Sequence, residues 1–533
     1  MKNLTQYKLI LFVAIFITAF LNISFFKSIL NTYPISGLES INILSIVFVL
    51  FALIVFLFSL VASKYTTKPI LIIVLLVSSF AAYFMDTYHV VIDTEMIRNT
   101  LQTNIDESSD LFSYQLVAYA FFLGILPSFF IYKLKINYRP LKIEILSRIK
   151  TLLVSLLVII IIILSLSKFY TSFFREHKPL RYHANPIYWI YSIGNYINKT
   201  INSGPLVLEV IGKDAKFSPE EYKSDKKELL IMVVGEAARA NRFSLNGYKR
   251  ETNPLLKKED IINFPNMYSC GTSTAVSVPC MFSVYPRSEY TYKKGISTEN
   301  VIDILNNTKD INVLWRDNNS DSKGVALRVE YQNYKTNKNN TICEDGECRD
   351  EGMLVGLDEY IKKHKNEDIL IVLHQMGNHG PEYYKRYPKA FEKFTPICKT
   401  NQLENCTQEE VSNAYDNAIL YTDYFLSKTI NFLKPYSKDY HTGLIYMSDH
   451  GESLGENGLY LHGMPYLIAP DEQRHIGALM WFGDGEIDIS KLKQYSEKRF
   501  SQDDLFHTLL GFFEIETDFY NKDKDILNHA RKN

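Results

Sequence analysis

Five apolar stretches crowd the first third of the chain, roughly Leu9 to Phe26, Ile41 to Ala62, Ile70 to Met85, Leu116 to Tyr132 and Leu152 to Ser167. A bilayer core needs about 20 apolar residues of helix, so these runs predict a multi-span α-helical membrane domain over residues 1–168. The third run is short for a span. No small-residue cleavage site follows the first, and more spans come at once, which argues against a removable leader. Lys2, Lys8, Lys64, Lys68 and the cluster Lys133, Lys135, Arg139, Lys142, Arg148 and Lys150 mark the cytoplasmic side. Asp86, Asp93, Glu95, Asp106, Glu107 and Asp110 fall in the opposite loop. An odd number of spans then leaves everything after Ser167 outside the cytoplasm.

The cysteines point the same way by a separate route. All six lie between Cys270 and Cys406, as near neighbours: Cys270 with Cys280, Cys343 with Cys348, Cys398 with Cys406. Six cysteines allow fifteen pairings. Local pairing closes three short loops and suits an oxidising compartment, whereas Cys-x-x-Cys spacing for a structural zinc site is missing. The net charge of -1 says little about partners, and nothing in the pattern suggests nucleic acid.

Between the halves, residues 169–216 interleave Phe169, Tyr170, Phe173, Phe174, Tyr182, Tyr188, Trp189 and Tyr191 with basic residues. Such side chains favour a bilayer interface, so one or two surface-lying helices are expected. In the loop before the fourth run, Asp93 to Thr103 has helical character. Asn99, Thr103 and Glu107 recur every four residues, a polar stripe suited to a lipid headgroup or simply to solvent.

Residues 217–533 alternate short apolar runs with amphipathic helices, the pattern of an α/β domain with a mainly parallel sheet. Leu229 to Val234, Val313 to Trp315, Ile369 to Leu373, Leu444 to Met447 and Ala478 to Trp481 read as strands; Val301 to Leu305, Leu354 to Ile361, Tyr415 to Phe432 and Leu505 to Phe513 read as helical. Ligands of such sheets sit beyond the strands' carboxyl ends. There the chain carries Glu236, the Arg316 to Lys323 segment with Asn319, the His374 to His379 segment, and Asp449-His450-Gly-Glu452, with His462 following. Asp317 and Asp321 read as turn formers.

These side chains suit metal-assisted phosphoryl transfer. Glu236, Asp449 and His450 offer three zinc ligands of the right type, and Thr274, in Ser269-Cys-Gly-Thr-Ser-Thr-Ala-Val-Ser-Val-Pro-Cys280, would be the fourth and the nucleophile. A Ser/Thr cluster beside a glycine also makes an ordinary helix cap. Lys323, His379, His462 and Asn319 would neutralise phosphoryl charge or supply a proton. Glu452 would orient a ligand or sit at a helix start.

Val233-Val-Gly-Glu236, Gly271-Thr-Ser-Thr274, Leu314-Trp-Arg-Asp-Asn-Asn-Ser-Asp-Ser-Lys-Gly324, Leu373-His-Gln-Met-Gly-Asn-His-Gly380 and Ser448-Asp-His-Gly-Glu452 resemble the phosphoethanolamine transferases that modify lipid A, including the mobile colistin-resistance enzymes. The resemblance covers nearly the whole chain. It implies five spans and a periplasmic domain of the alkaline phosphatase and sulfatase fold. It implies Thr274 as nucleophile, zinc on Glu236, Thr274, Asp449 and His450, and Lys323, His379 and His462 as catalytic or phosphate-binding residues. A second, looser zinc would fall on His379 and His462, substrate would lie near Asn319 and Glu452, and the three local cysteine pairs would be disulfides. The expected reaction moves phosphoethanolamine from phosphatidylethanolamine to lipid A at the bacterial inner membrane, catalysed by a monomer, with polymyxin resistance as the outcome. Alternatives are a core-sugar acceptor, phosphoglycerol transfer, plain phosphatase action and a non-catalytic sensor. Thr272 and Ser273 are fallback nucleophiles on spacing, and Ala237-Ala238 departs from the Thr or Ser of many relatives.

Overall fold

The computed structural model describes residues 4–33, 35, 37, 39–102, 108, 110–175, 177–201, 207–218, 226–344, 346–483, 487–528 and 530–531. The chain divides into two compact units, one of Met1–Arg98 with Phe112–Ile201, the other of Asn99–Leu111 with Asn202–Asn533.

In the first unit, four helices are long and apolar enough to cross a membrane among the described residues: Ser40–Val61, Thr67–Tyr88, Tyr114–Lys133 and Leu141–Ser165. A bent pair, Gln6–Phe20 and Ile23–Thr32, makes a fifth if taken as one span. The first apolar run, Leu9 to Phe26, falls on this pair, which bends by 55°. The cause is polar. Asn22 donates to Ile17 O at 3.0 Å and to Asn185 O at 2.7 Å, while Asn185 returns its amide to Leu21 O and Ser78 O, both at 3.0 Å. Backbone carbonyls released by a break in an apolar medium must be satisfied this way. The third span is longer than its apolar core suggested, and the last begins at Leu141. On Leu141–Ser165 only Ser155 is buried, and Leu153, Leu157, Ile161 and Leu164 stand exposed. Such an apolar surface belongs against hydrocarbon rather than water. After it come the short helices Ser167–Arg175 and Ile187–Ile201.

The second unit is built on a seven-stranded sheet. Its strands are β1 (Lys227–Gly235), β2 (Ile262–Asn263), β3 (Ile311–Asp317), β4 (Glu330–Asn333), β5 (Asp368–His374), β6 (Tyr440–Ser448) and β7 (Ala478–Phe482). The order is β2-β7-β6-β1-β5-β3-β4, parallel from β6 to β4, with β7 antiparallel to β6 and β2 antiparallel to β7 at one edge. β1 shows why the sheet is covered on both sides. Leu229, Ile231 and Val233 pack into a core with Tyr415 and Phe425, whereas Leu230, Met232 and Val234 pack into another with Met281, Phe282 and Leu509. Side chains alternate between faces along a strand, so a continuous apolar run can only be a strand sandwiched between helices. Each buried aliphatic side chain contributes about 1.5–3 kcal/mol.

Helix Gln408–Leu433 lies against the first of these cores. A capping box starts it: the Thr407 hydroxyl accepts from Glu410 N at 3.2 Å and the Glu410 carboxylate accepts from Thr407 N at 2.7 Å. On the other face lie Thr274–Met281, Val301–Asn307 and Leu505–Phe512. Disulfides join Cys270–Cys280, Cys343–Cys348 and Cys398–Cys406.

Candidate active site

Strand register brings the polar residues to one rim. Ser448 pairs with Gly235, Val234 with His374, and Asp317 with His374. The residues that follow, Asp449, Glu236 and Asn319, therefore leave the sheet at the same level, in the crevice where parallel sheets hold ligands. Thr274 arrives from the other direction, as the first residue of the helix Thr274–Met281.

Glu236, Asp449 and His450 converge. One ligand atom from each lies within 4.8 Å of the others, and all three residues are buried. His450 Nε2 is 3.4 Å from Glu236 Oε1 and 3.3 Å from Asp449 Oδ2. The Thr274 hydroxyl donates to Glu236 Oε2 at 3.1 Å and stands 3.4 Å from His450 Nε2. Glu236 Oε1 and Asp449 Oδ2 are buried oxygens with no hydrogen-bond partner. Burial, reinforced by the neighbouring Asp449, pushes the Glu236 carboxyl well above the usual carboxylate range, and burial also raises Asp449. Two such carboxylates cannot both stay ionised without a cation between them. His450 is ready for that cation: its Nδ1 lies 2.8 Å from Gly451 O, which fixes the proton there and leaves Nε2 a free lone pair. Burial holds its pKa well below the ordinary histidine value, so the ring is neutral.

The supporting contacts explain why the ligands stay put. Asp449 Oδ1 accepts from Ala237 N at 3.1 Å and His450 N at 2.7 Å. Ala237 occupies the left-handed region at φ 54, which costs an alanine about 1–2 kcal/mol. It is held there by the Tyr415 hydroxyl, which donates to Ala237 O at 2.6 Å and accepts from Arg239 N at 3.0 Å. Gly377, at φ 49, lies so close to Glu236 that a Cβ would meet its backbone at 3.0 Å; only glycine fits both demands.

Of the other predicted residues, Asn319 donates to Glu236 Oε2 at 2.9 Å and to Gln375 O at 2.7 Å, so the structure sets it beside a candidate ligand. Glu452 is buried between the Tyr383 hydroxyl, 2.9 Å from Oε1, and His462 Nδ1, 2.9 Å from Oε2. A second candidate metal group, His450, Glu452 and His462, shares His450 with the first. The rings of His450 and His462 are 4.2 Å apart, and those of His379 and His462 are 5.9 Å apart. His379 is half-buried, with its Nδ1 buried and unpartnered, and desolvation together with the Arg386 charge keeps it neutral. Lys323 lies on the loop after β3 with its side chain nearly buried, 3.8 Å from Asp321. Asn99 lies on the helix Thr94–Gln102; Thr103 and Glu107 fall outside the described residues. The fallback nucleophile Thr272 is turned away, its hydroxyl donating to Met464 O at 2.6 Å.

Several residues that build the site escaped the sequence reading. Gln502, fully buried, accepts from Cys270 N at 2.6 Å and donates to Ser448 O at 2.8 Å and Asp449 O at 2.9 Å, so it ties the nucleophile turn to the ligand strand. Asp317 is more than a turn former: it accepts from Trp315 Nε1 at 2.9 Å and Asn319 N at 2.9 Å, and pairs with His374 Nδ1 at 2.8 Å. A hydrophobic run ending in Trp-Arg-Asp gave the strand but not this partner.

The chain is similar to known proteins along nearly its whole length. The sulfatase family profile matches residues 228–515, more than half the chain, and the phosphoethanolamine transferase EptA/EptB profile matches residues 50–201. The phosphatidylethanolamine transferase Mcr-1 of Escherichia coli is 42% identical over 97% of this chain and 96% of its own. The integral membrane lipooligosaccharide phosphoethanolamine transferase A (EptA) of Neisseria meningitidis superposes with a TM-score of 0.96 at 34% identity, covering 100% of both chains. The periplasmic domain of the phosphoethanolamine transferase EptC of Campylobacter jejuni, 44% identical, covers 60% of this chain and 98% of its own with a TM-score of 0.54. With its apolar helices, sulfatase-type sheet and buried threonine-centred cluster, the chain belongs to the phosphoethanolamine transferases of the EptA and Mcr kind.

Proposed function

We propose that this protein transfers phosphoethanolamine from phosphatidylethanolamine to a lipid A phosphate at the outer face of the bacterial inner membrane, with its catalytic unit in the periplasm. The observation that carries the reading is the Thr274 hydroxyl, set 3.1 Å from Glu236 and 3.4 Å from His450 among buried carboxylate oxygens that lack partners. Imidazole nitrogen, carboxylate oxygens and a hydroxyl fit zinc, and Glu236, Thr274, Asp449 and His450 would hold it. Bound there, zinc supplies Lewis acidity that lowers the hydroxyl pKa and screens developing negative charge.

The residues divide the rest of the work. Thr274 Oγ1 gives up its proton toward Glu236 and forms a bond to phosphorus, while the bond from phosphorus to the diacylglycerol oxygen breaks. The leaving oxygen takes a proton from a neighbouring imidazole, and His462 is oriented for this by Glu452, with Tyr383 fixing Glu452 in turn. An acceptor phosphate oxygen, its proton taken by His462, then attacks the same phosphorus, the bond to Thr274 breaks, and the hydroxyl regains its proton from Glu236. His379 and Lys323 receive the phosphoryl oxygens, and Asn319 keeps Glu236 aimed. The helix bearing Asn99, followed by Thr103 and Glu107, would bind the donor headgroup. One site thus serves two lipids in turn, which is why a soluble enzyme sheet is joined to spanning helices. The added amine offsets lipid A phosphate charge and weakens binding of cationic peptides such as polymyxin.

The test is mass spectrometry of lipid A from cells with the chain, without it, and with Thr274→Ala. Phosphoethanolamine on lipid A only with the intact chain supports the reading. Unmodified lipid A, with phosphoethanolamine on a core sugar instead, moves the acceptor; transfer undiminished by Thr274→Ala removes the nucleophile.

A further inference from the structure

Arg386 is a buried guanidinium that the reaction scheme leaves without a role. Its side chain is 2% exposed. All its polar arms are engaged: Nε donates to His379 O at 2.8 Å, Nη1 to Glu347 at 2.9 Å and Nη2 to Asp110 at 2.6 Å. One of these partners is local to the site. The second sits on the small hairpin closed by Cys343–Cys348. The third comes from the segment Asn99–Leu111, which in sequence falls between two apolar helices yet groups with the unit that carries the site.

Asp110 is well fastened there. It also accepts from Lys385 Nζ at 3.4 Å, and its backbone oxygen accepts from Asn401 Nδ2 at 2.8 Å. The charge of Arg386 and its hydrogen bond help to hold this carboxylate below its ordinary pKa despite burial. His379, by contrast, has few anchors of its own. Its backbone N makes only a long turn bond to Met376 O at 3.3 Å, and its ring Nδ1 is buried without a partner. The direction of its imidazole therefore depends on its main chain, and the charge-assisted bond from Arg386 is the strong contact there.

We propose that Asp110 is a positioning residue for the transfer reaction: acting through Arg386, it fixes the main chain of His379 and with it the imidazole. The segment ahead of the fourth apolar helix is then a working part of the active site rather than a connector. Neutralising Asp110 lets the guanidinium swing toward Glu347, its remaining carboxylate, and slackens the bond to His379 O. A displacement on the order of 1 Å at a reacting group costs as much as a hundredfold in rate, so a partial shift is expected to cost roughly tenfold. The inference rests on the reading of His379 as a catalytic residue.

The experiment uses the full chain with phosphatidylethanolamine as donor and lipid A as acceptor, comparing Asp110→Asn, Asp110→Glu, Arg386→Lys and His379→Ala. Asp110→Asn lowers the melting midpoint through the broken ion pair, and well below that midpoint it is expected to lower kcat roughly tenfold with KM for the donor and bound zinc unchanged. Asp110→Glu should restore most of the rate. Arg386→Lys, which keeps the charge but loses the fork that reaches three partners, should reproduce the loss. In a His379→Ala background, Asp110→Asn should cost nothing further, because residues acting through one group are not additive. Wild-type kcat in Asp110→Asn or Arg386→Lys overturns the proposal. So does an equal loss on top of His379→Ala, or a loss of rate that merely follows zinc or melting midpoint. Should His379→Ala itself turn over normally, the catalytic reading of His379 falls with the inference; should it be impaired while Asp110→Asn is not, only the inference falls.

Discussion

Replacing Gln502 by leucine should loosen the link between the nucleophile turn and the ligand strand. The side chain is fully buried and makes three hydrogen bonds of 2.6, 2.8 and 2.9 Å, to Cys270 N, Ser448 O and Asp449 O. At about 1 kcal/mol net for each bond, with about 1–3 kcal/mol for an amide left buried and unpaired, the loss comes to roughly 4–6 kcal/mol. Leucine is close in size and returns part of this through its apolar surface, so about 3 kcal/mol is the expected destabilisation. For a unit of this size, at about 2.1 cal/mol/K of unfolding entropy per residue, that lowers the melting midpoint by roughly 4 °C. Fluorescence can follow it, since two of the three tryptophans, Trp315 and Trp481, are buried in this unit. Cys270 lies four residues ahead of Thr274, so transfer activity below the melting range should fall as well, and zinc should bind more weakly through the freed Asp449. A variant with unchanged midpoint, zinc affinity and rate would show that the bridge carries no structural weight, and the account of how Thr274 meets Asp449 would be wrong.

Other expectations follow from single contacts. Glu452→Gln removes the charge and leaves one amide oxygen for two donors, the Tyr383 hydroxyl and His462 Nδ1; kcat should drop by one to two orders of magnitude with little change in KM, and an unaltered kcat would dismiss the Tyr383–Glu452–His462 chain. Asp423 accepts from Leu255 N and Leu256 N at 2.9 Å, and burial pushes its pKa up to about 7. A carboxyl raised in the folded state favours folding while protonated. Its contribution is full below the unfolded value near 3.8 and is lost as pH rises through about 7, on the order of 2–4 kcal/mol in all. Denaturant midpoints should therefore decline across this window, and Asp423→Asn should flatten the decline; an identical slope in the variant would refute the assignment.

Much of the fold was legible because its signals are local. Apolar runs of strand length between amphipathic helices meant a covered parallel sheet, and the acid or histidine that ends such a run has to emerge at the carboxyl rim, which is how Glu236, Asp449 and His450 could be grouped from positions far apart in the chain. The antiparallel edge was not legible, since Ala478 to Trp481 reads the same in either direction. Nor was the break in the first span: one asparagine in an apolar run looks tolerable until its partner, Asn185, is seen 163 residues away. Gln502, Tyr383 and Arg386 share that difficulty. A polar side chain in a turn or short helix looks solvated, and only long-range packing shows it to be buried and spent on the site.

The central claim, that Thr274 is the oxygen made reactive, has a direct measurement. The purified chain, loaded with zinc and given phosphatidylethanolamine but no acceptor, can be digested and its peptides mapped by mass spectrometry. The account predicts phosphoethanolamine on Thr274, absent after chelation and in Glu236→Gln, and lost again when lipid A is added. A modification on Thr272 or Ser273 instead, or full transfer by a chain that never carries the group on Thr274, would contradict it.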